Sequence, residues 1–294
     1  MRNNLKRKIR VRDRNRSEDK ILDGYLTDSF IGVLIAEEIK ALSGVLRLTV
    51  EDTIIQILPR AVARSITSVK GKQAASACRC SSGSIYFGCE MELLTETETF
   101  LVSAEQTALS NALSNGETDI RAFISSHPVS IQSLRTMNEW HLTDHVSVSY
   151  PGIQPQLIQQ LLPADYELSF QKPIKSLGLM PEETFNDLGD IKAAASLAFF
   201  RSHGPYSGTM AGIAIEGPYR KMSCGSYIET TADHSGLNPL SLALGNMIIA
   251  DQCFKDIKQV QLMVQKSITE AFIQQTEAIL KSVSNAVLNI DYLE

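Results

Sequence analysis

Carboxylates and hydroxyls gather in three short stretches of the first half: Glu90-Met91-Glu92, Ser103-Ala104-Glu105-Gln106 and His127-Pro128-Val129-Ser130-Ile131-Gln132-Ser133. Glu105 carries the clearest chemistry. A buried carboxyl group with no cation beside it has a raised pKa and can act alone as a general acid or base. The same residue at a helix start also favours the helix through its negative charge, by about 0.3–1 kcal/mol. Ser103 could act as a nucleophile only with a base at hand. No histidine is adjacent to it, and its type and place read as an N-cap. Cys89 reads as packing rather than as a nucleophile. Of the five histidines, His127, His141, His145, His203 and His234, His127 stands nearest these residues and is the first candidate for any unusual metal site.

Glu105 needs a helix to aim it. In "ETFLVSAEQTALSNALSNG" (98–116), Leu101, Ala104, Leu109 and Leu113 recur at helical spacing and Gly116 stands where a cap belongs. Before it, 73–94 reads as strand, turn, strand, with Ser81-Ser82-Gly83 as the turn. Cys78 and Cys80 share one face of the first strand as small apolar residues. After the helix come an apolar strand (119–126), the helix "SIQSLRTMNEW" and the strand "HVSVSY". The second half repeats the plan. Residues 207–230 are again strand, turn, strand, with Gly217-Pro218 in the turn and Gly225-Ser226-Tyr227 falling where Phe87-Gly88-Cys89 falls. A helix at 238–253 and the strand "VQLMVQKS" follow. Residues 18–65 read as helical, with an amphipathic run closed by Gly44.

With 294 residues, 44% of them hydrophobic, the chain suits two compact units. No apolar run approaches the roughly 20 residues of a membrane helix. Five cysteines, without a disulfide-framework spacing and with no C-x-x-C, fit a reducing cytoplasm. Residues 1–16 hold eight Lys/Arg and one Asp, a net +7 that leaves −12 on the rest of a chain of net −5. The tail reads as solvated and disordered, the alternatives being weak attraction for nucleic acid or a targeting role. The acidic body argues against nucleic acid as the main ligand.

In order along the chain, "LPRAVARS" (58–65), "SGSIYFGCEME" (82–92), "SAEQTALSNALSNGE" (103–117), "MNE" (137–139), "AAASLAFFRSHGPYSGTMAGIAIE" (193–216), "GSYIE" (225–229) and "NP" (238–239) resemble the homodimeric, duplicated-domain cytidine deaminases. The resemblance implies an α/β fold: two cytidine-deaminase-like three-layer α-β-α domains preceded by a helical N-terminal segment. The expected division is a basic tail (1–17), the helical segment (18–57), a first domain that is the family's catalytic copy (58–162), a linker (163–187) and a second, non-catalytic copy (188–294).

The family's reaction uses zinc to lower the pKa of bound water to about 7, held by the histidine of H-A-E-Q and the cysteines of P-C-x-x-C. Here Ser103 takes the histidine position, and Val129 or Ser130 and Gln132 or Ser133 take the cysteine positions. The expectation is therefore no zinc. Glu105 keeps the proton-shuttle place. The sugar-binding N-x-E becomes Glu90-Met91-Glu92, and the candidate ligand-binding residues are Glu90, Glu92, Ser103 and Asn238. In "TTADHSGLNP" (230–239), Asp233 and His234 could face a dimer partner's pocket. The leading expectation is a catalytically inactive cytoplasmic homologue, a homodimer that binds a nucleoside-like ligand or a protein partner. The alternative is a metal-free or unusual-metal enzyme acting on cytidine, deoxycytidine or a modified nucleoside through Glu105.

Overall fold

The computed structural model describes residues 22, 30–67, 73–96, 98–140, 145–163, 190–230 and 236–293. The basic tail, nearly all of the expected linker, His141, Asp233 and His234 lie outside them.

The first unit opens with strand β1 (Val33–Leu34) and helices α1 (Ala36–Leu46) and α2 (Val50–Val62). It continues with β2 (Ala75–Cys80), β3 (Ile85–Cys89), the ribbon β4 (Met91–Leu94) and β5 (Thr99–Val102), and α3 (Ala104–Ser114). Then come β6 (Ile120–Ser125), α4 (Ile131–Glu139), β7 (Ser147–Tyr150), β8 (Ile153–Leu157) and the single turn α5 (Ile158–Leu161). The sheet order is β1-β3-β2-β6-β7-β8.

The second unit contains α6 (Ile191–Phe200), β9 (Ala211–Glu216), β10 (Met222–Ser226), α7 (Pro239–Ile249), β11 (Gln259–Gln265), α8 (Glu270–Val283) and β12 (Leu288–Leu293), in sheet order β10-β9-β11-β12. This reproduces β3-β2-β6-β7 strand for strand. In each unit a hairpin pairs antiparallel with the third strand, and the third pairs parallel with the fourth. The duplication and the α/β fold are real.

Side-chain alternation sets the layers. Ala75 and Ala77 of β2 face α2, in a core with Ile54, Ile57 and Phe87. Cys78 and Cys80 face the other way, in the core that holds α3, so the two thiols do share a packed face. Helix α6 covers the outer face of the second sheet. Helices α3 and α7 each touch both β3 and β10 and also each other, so they lie together between the two sheets. At their crossing Gly245 leaves space for Thr107, where a Cβ would come within 2.6 Å of its methyl.

Each inner helix also lies hard against its own hairpin. A Cβ on Gly88 would stand 2.1 Å from Ala108 N and 2.6 Å from Ala104 O. A Cβ on Gly225 would stand 2.1 Å from Pro239 O and 2.6 Å from Ala243 N. These contacts equate Gly88 with Gly225 and Ala104 with Pro239, one residue away from the sequence alignment of 87–89 with 225–227.

Other expectations are also corrected. Leu101 is not helical. It lies exposed in β5, paired with Glu92, and α3 begins only after Ser103. Four residues of ribbon cannot be told from a helical turn by spacing alone. Gly44 is inside α1, and Arg47 takes the left-handed closing position at φ 55°. Residues 18–65 are not uniformly helical, since β1 pairs with β3. Gly116 does close α3: at φ 88° its N–H donates to Leu113 O and the Glu117 N–H to Ala112 O.

If the glycines set the helix-to-hairpin distance, Gly88→Ala and Gly225→Ala each cost about 3 kcal/mol or more, read as a lower urea midpoint with unchanged slope.

Candidate functional site

Helix α3 begins at the edge of the first hairpin, and its first turn is fixed by a reciprocal cap. Ser103 Oγ accepts from Gln106 N at 3.2 Å, and Gln106 Oε1 accepts from Ser103 N at 2.9 Å. Because Gly88 fixes Ala104, the next residue, Glu105, is aimed toward the end of β6. It is 8% exposed. Ser125 Oγ donates to Glu105 Oε1 at 2.9 Å and Ser133 Oγ to Oε2 at 3.3 Å. Ser125 in turn shares a 2.8 Å hydrogen bond with Ser76 Oγ.

Helix α4 brings the second set of hydroxyls. Ser130 caps it by accepting from Ser133 N at 3.0 Å, and Ser130 Oγ donates to Ser133 Oγ at 3.0 Å. Ser133 Oγ also lies 3.3 Å from Ser103 Oγ. Ser103, Ser130, Ser133 and Glu105 thus form one connected group, with Ser76 and Ser125 behind it. Beside Glu105 about 10 Å³ remains free between Leu109, Phe123, Met137 and Trp140, room for one water at most.

Glu92 is buried in β4 and Glu90 half-buried at the β3–β4 junction. Their backbones are tied to Ile66, which donates to Glu90 O and accepts from Glu92 N. Asn238 is elsewhere: it caps α7 by accepting from Leu240 N at 2.9 Å, and its amide donates to Thr276 Oγ1 at 3.0 Å and Gln275 Oε1 at 3.3 Å. His127 is half-buried just past β6, its Nδ1 2.8 Å from Ser126 Oγ. His145 is exposed and His203 is buried in the second unit. Burial pushes the Cys89 thiol up to about 12, against a smaller opposing effect of Arg64, so it stays protonated and is no nucleophile.

The second unit shows what the fold itself requires at these places. The glycine contacts set Ala104 against Pro239, so Glu105 corresponds to Leu240 and Ser103 to Asn238, both helix caps. Gly88 pairs with Ser76, which pairs with Ser125; Gly225 pairs with Ile213, which pairs with Leu262. Ser130 and Thr269 each cap the next helix, which sets Ser133 against Phe272. Leu240, Ile213 and Leu262 are fully buried. The polar group around Glu105 is therefore an addition to the fold, made in one copy only. Sequence reasoning missed Ser76 and Ser125, which look unremarkable inside apolar strands. Matching them against Ile213 and Leu262 of the second half would have found them.

As donors to a cation the connected side chains offer one carboxylate and several hydroxyls, with no imidazole or thiolate. That set does not suit zinc. Among the described residues no group of three or more His, Cys, Asp or Glu is placed to hold a metal, and no helix is long and apolar enough to cross a membrane.

The family described as "Cytidine and deoxycytidylate deaminase zinc-binding region" matches residues 156–278, which run from β8 into α8 and exclude the Glu105 group. The cytidine deaminase of Salmonella paratyphi A is 31% identical over 259 residues, 86% of this chain and 87% of its own. That of Photobacterium profundum is 26% identical over 260 residues, 87% of this chain and 88% of its own. A solved cytidine deaminase from Burkholderia pseudomallei overlaps 34% of this chain and 82% of its own at 18% identity, with a TM-score of 0.29, too small an overlay to support an argument.

Three outcomes follow from this geometry. Ser125→Ala alone strips a hydrogen bond from a buried carboxylate and lowers stability by about 1–3 kcal/mol. The combination Ser76→Ile, Ser125→Leu and Glu105→Leu, with the second unit's residues, unfolds at equal or higher urea than the unaltered chain. In thiol labelling at about pH 8, the exposed Cys253 reacts while buried Cys89 reacts only on unfolding.

Proposed function

The chain belongs to the cytidine deaminase family, and we propose that it is a member without zinc-dependent hydrolysis, retained as a binding or regulatory homologue. The observation that carries this reading is the hydroxyl chain from Ser130 through Ser133 to Ser103 beside Glu105. Of the alternatives at the two cysteine positions, Ser130 and Ser133 are the pair that supports it, because both join Ser103 in that chain. Neutral hydroxyls are weak zinc ligands beside imidazole or thiolate. Here Ser103 and Ser130 also accept helix N–H groups, a task that a metal would have to displace.

Hydrolysis at C4 of cytosine needs hydroxide at neutral pH. Water with a pKa of about 15.7 yields very little of it without a metal. A single carboxylate such as Glu105 can move a proton but does not make up that difference. What remains suits binding rather than turnover: half-buried Glu90 and its neighbour Glu92 offer carboxylate acceptors to hydroxyl or amino groups of a nucleoside-like ligand, while Glu105, with both oxygens already bonded, has room beside it for one water at most. A homodimer in the cytoplasm is part of this reading. The burial of Glu105 favours one rival, metal-free acid–base work on a modified nucleoside, in which Glu105→Gln would abolish turnover.

Elemental analysis of the purified chain, with a cytidine-to-uridine assay on the same sample, tests the proposal. The expected result is far less than one zinc per chain and no uridine. Ser103→His combined with Ser130→Cys and Ser133→Cys is expected to take up about one zinc per chain. One zinc on the unaltered chain, with turnover, would refute the proposal.

A further inference from the structure

The hairpin joining β9 to β10 turns at Pro218–Lys221, where the Lys221 N–H donates to Pro218 O. Both central residues are left-handed, Tyr219 at φ 56° and Arg220 at φ 58°. Turns of this hand select Asn-Gly because a bulky side chain crowds the backbone there. Packing of the ring does not offset that crowding, for Tyr219 is 91% exposed. The first unit makes the matching turn with Ser81-Ser82-Gly83, its glycine taking φ 88°, so the fold does not call for an aromatic at this place.

The surroundings are basic in a chain of net charge −5. Arg220 and Lys221 follow Tyr219. Lys258 N donates to Glu216 O and Gly217 N to Lys221 O, which brings the start of β11 and the preceding turn, with Lys255, beside the hairpin tip. All four cations are exposed, and none forms an ion pair among the described residues. The acids on these two segments are Glu216 and Asp256.

We infer that this tip is a docking surface for single-stranded nucleic acid, with Tyr219 as the stacking platform for a base and Arg220, Lys221, Lys255 and Lys258 along the phosphates. Two features favour a single strand over an acidic peptide or a duplex. An unobstructed aromatic face binds any unpaired base, and closely placed free cations follow a phosphate chain. A duplex keeps its base faces stacked. The inference is independent of the chemistry at Glu105.

Fluorescence anisotropy with a labelled single-stranded RNA of about 15 nucleotides, titrated with the whole chain between about 50 and 200 mM salt, provides the test. Tyr219→Gly is expected to weaken binding at least about fivefold without lowering the melting temperature, because glycine relieves the left-handed crowding. Replacing the four cations by serine is expected to flatten the plot of log affinity against log salt by about 2–3. Three results would overturn the inference: no binding at low salt; binding unchanged in both variants, which would assign it to the basic residues 1–16; or a loss on removing the charges with none at Tyr219→Gly, which would leave only unspecific attraction that anionic vesicles share.

Discussion

At Gly88, and again at Gly225, helix backbone lies against a strand with no space for a single side-chain carbon between them. That contact fixes the height and rotation of α3 and α7 on their hairpins. Rotation decides which residue of the first turn looks into the sheet, and in both copies it is the second. In one copy that residue is Glu105, met by Ser125 and Ser133; in the other it is Leu240, met by apolar neighbours. The same geometry thus serves a polar site and a dry core, and the difference lies in a few side chains.

The contrast also weighs what the polar copy gives up. A buried carboxylate with hydroxyl partners is no stability asset, since apolar residues of similar size commonly do as well or better. The second unit carries such residues and folds to the same plan. The first unit nevertheless keeps Glu105 with hydroxyl partners for both its oxygens. Half-satisfied polar groups are costly inside proteins, whereas connected ones fix a unique arrangement. The hydroxyls divide the work: Ser103 and Ser130 close helix ends, and Ser133, bonded to both of them, supports the carboxylate.

Much of this was legible in the residues. The two hairpin–helix–strand runs, Gly116 after α3, and the shared face of Cys78 and Cys80 follow from period and turn chemistry alone. The ribbon β4–β5 was not legible, because Leu101 and Ala104 sit at helical spacing across a boundary that only the cap at Ser103 defines. Gly44 misled in a similar way: a glycine near a helix end is a stop signal only if the next residues cannot continue, and Val45 and Leu46 do. The site was half legible. Glu105 and Ser103 stood out by type, but Ser76 and Ser125 act through strand pairing across about 50 residues of sequence, which no local pattern encodes.

The shared middle layer has a consequence for how the chain comes into being. Helix α3 is buried between its own hairpin and a strand from the other half. Its last turn is held by Arg201, which donates to Ser114 O, and Ser114 Oγ donates to Cys224 O. Trp140 likewise donates to Glu229 O and Thr230 to Glu139, across the same seam. During synthesis at about 5–20 residues per second, the first half leaves the ribosome on the order of ten seconds before those partners exist. For that interval it presents the apolar side of α3 to the cell, and a chaperone or a neighbouring nascent chain is what it meets first.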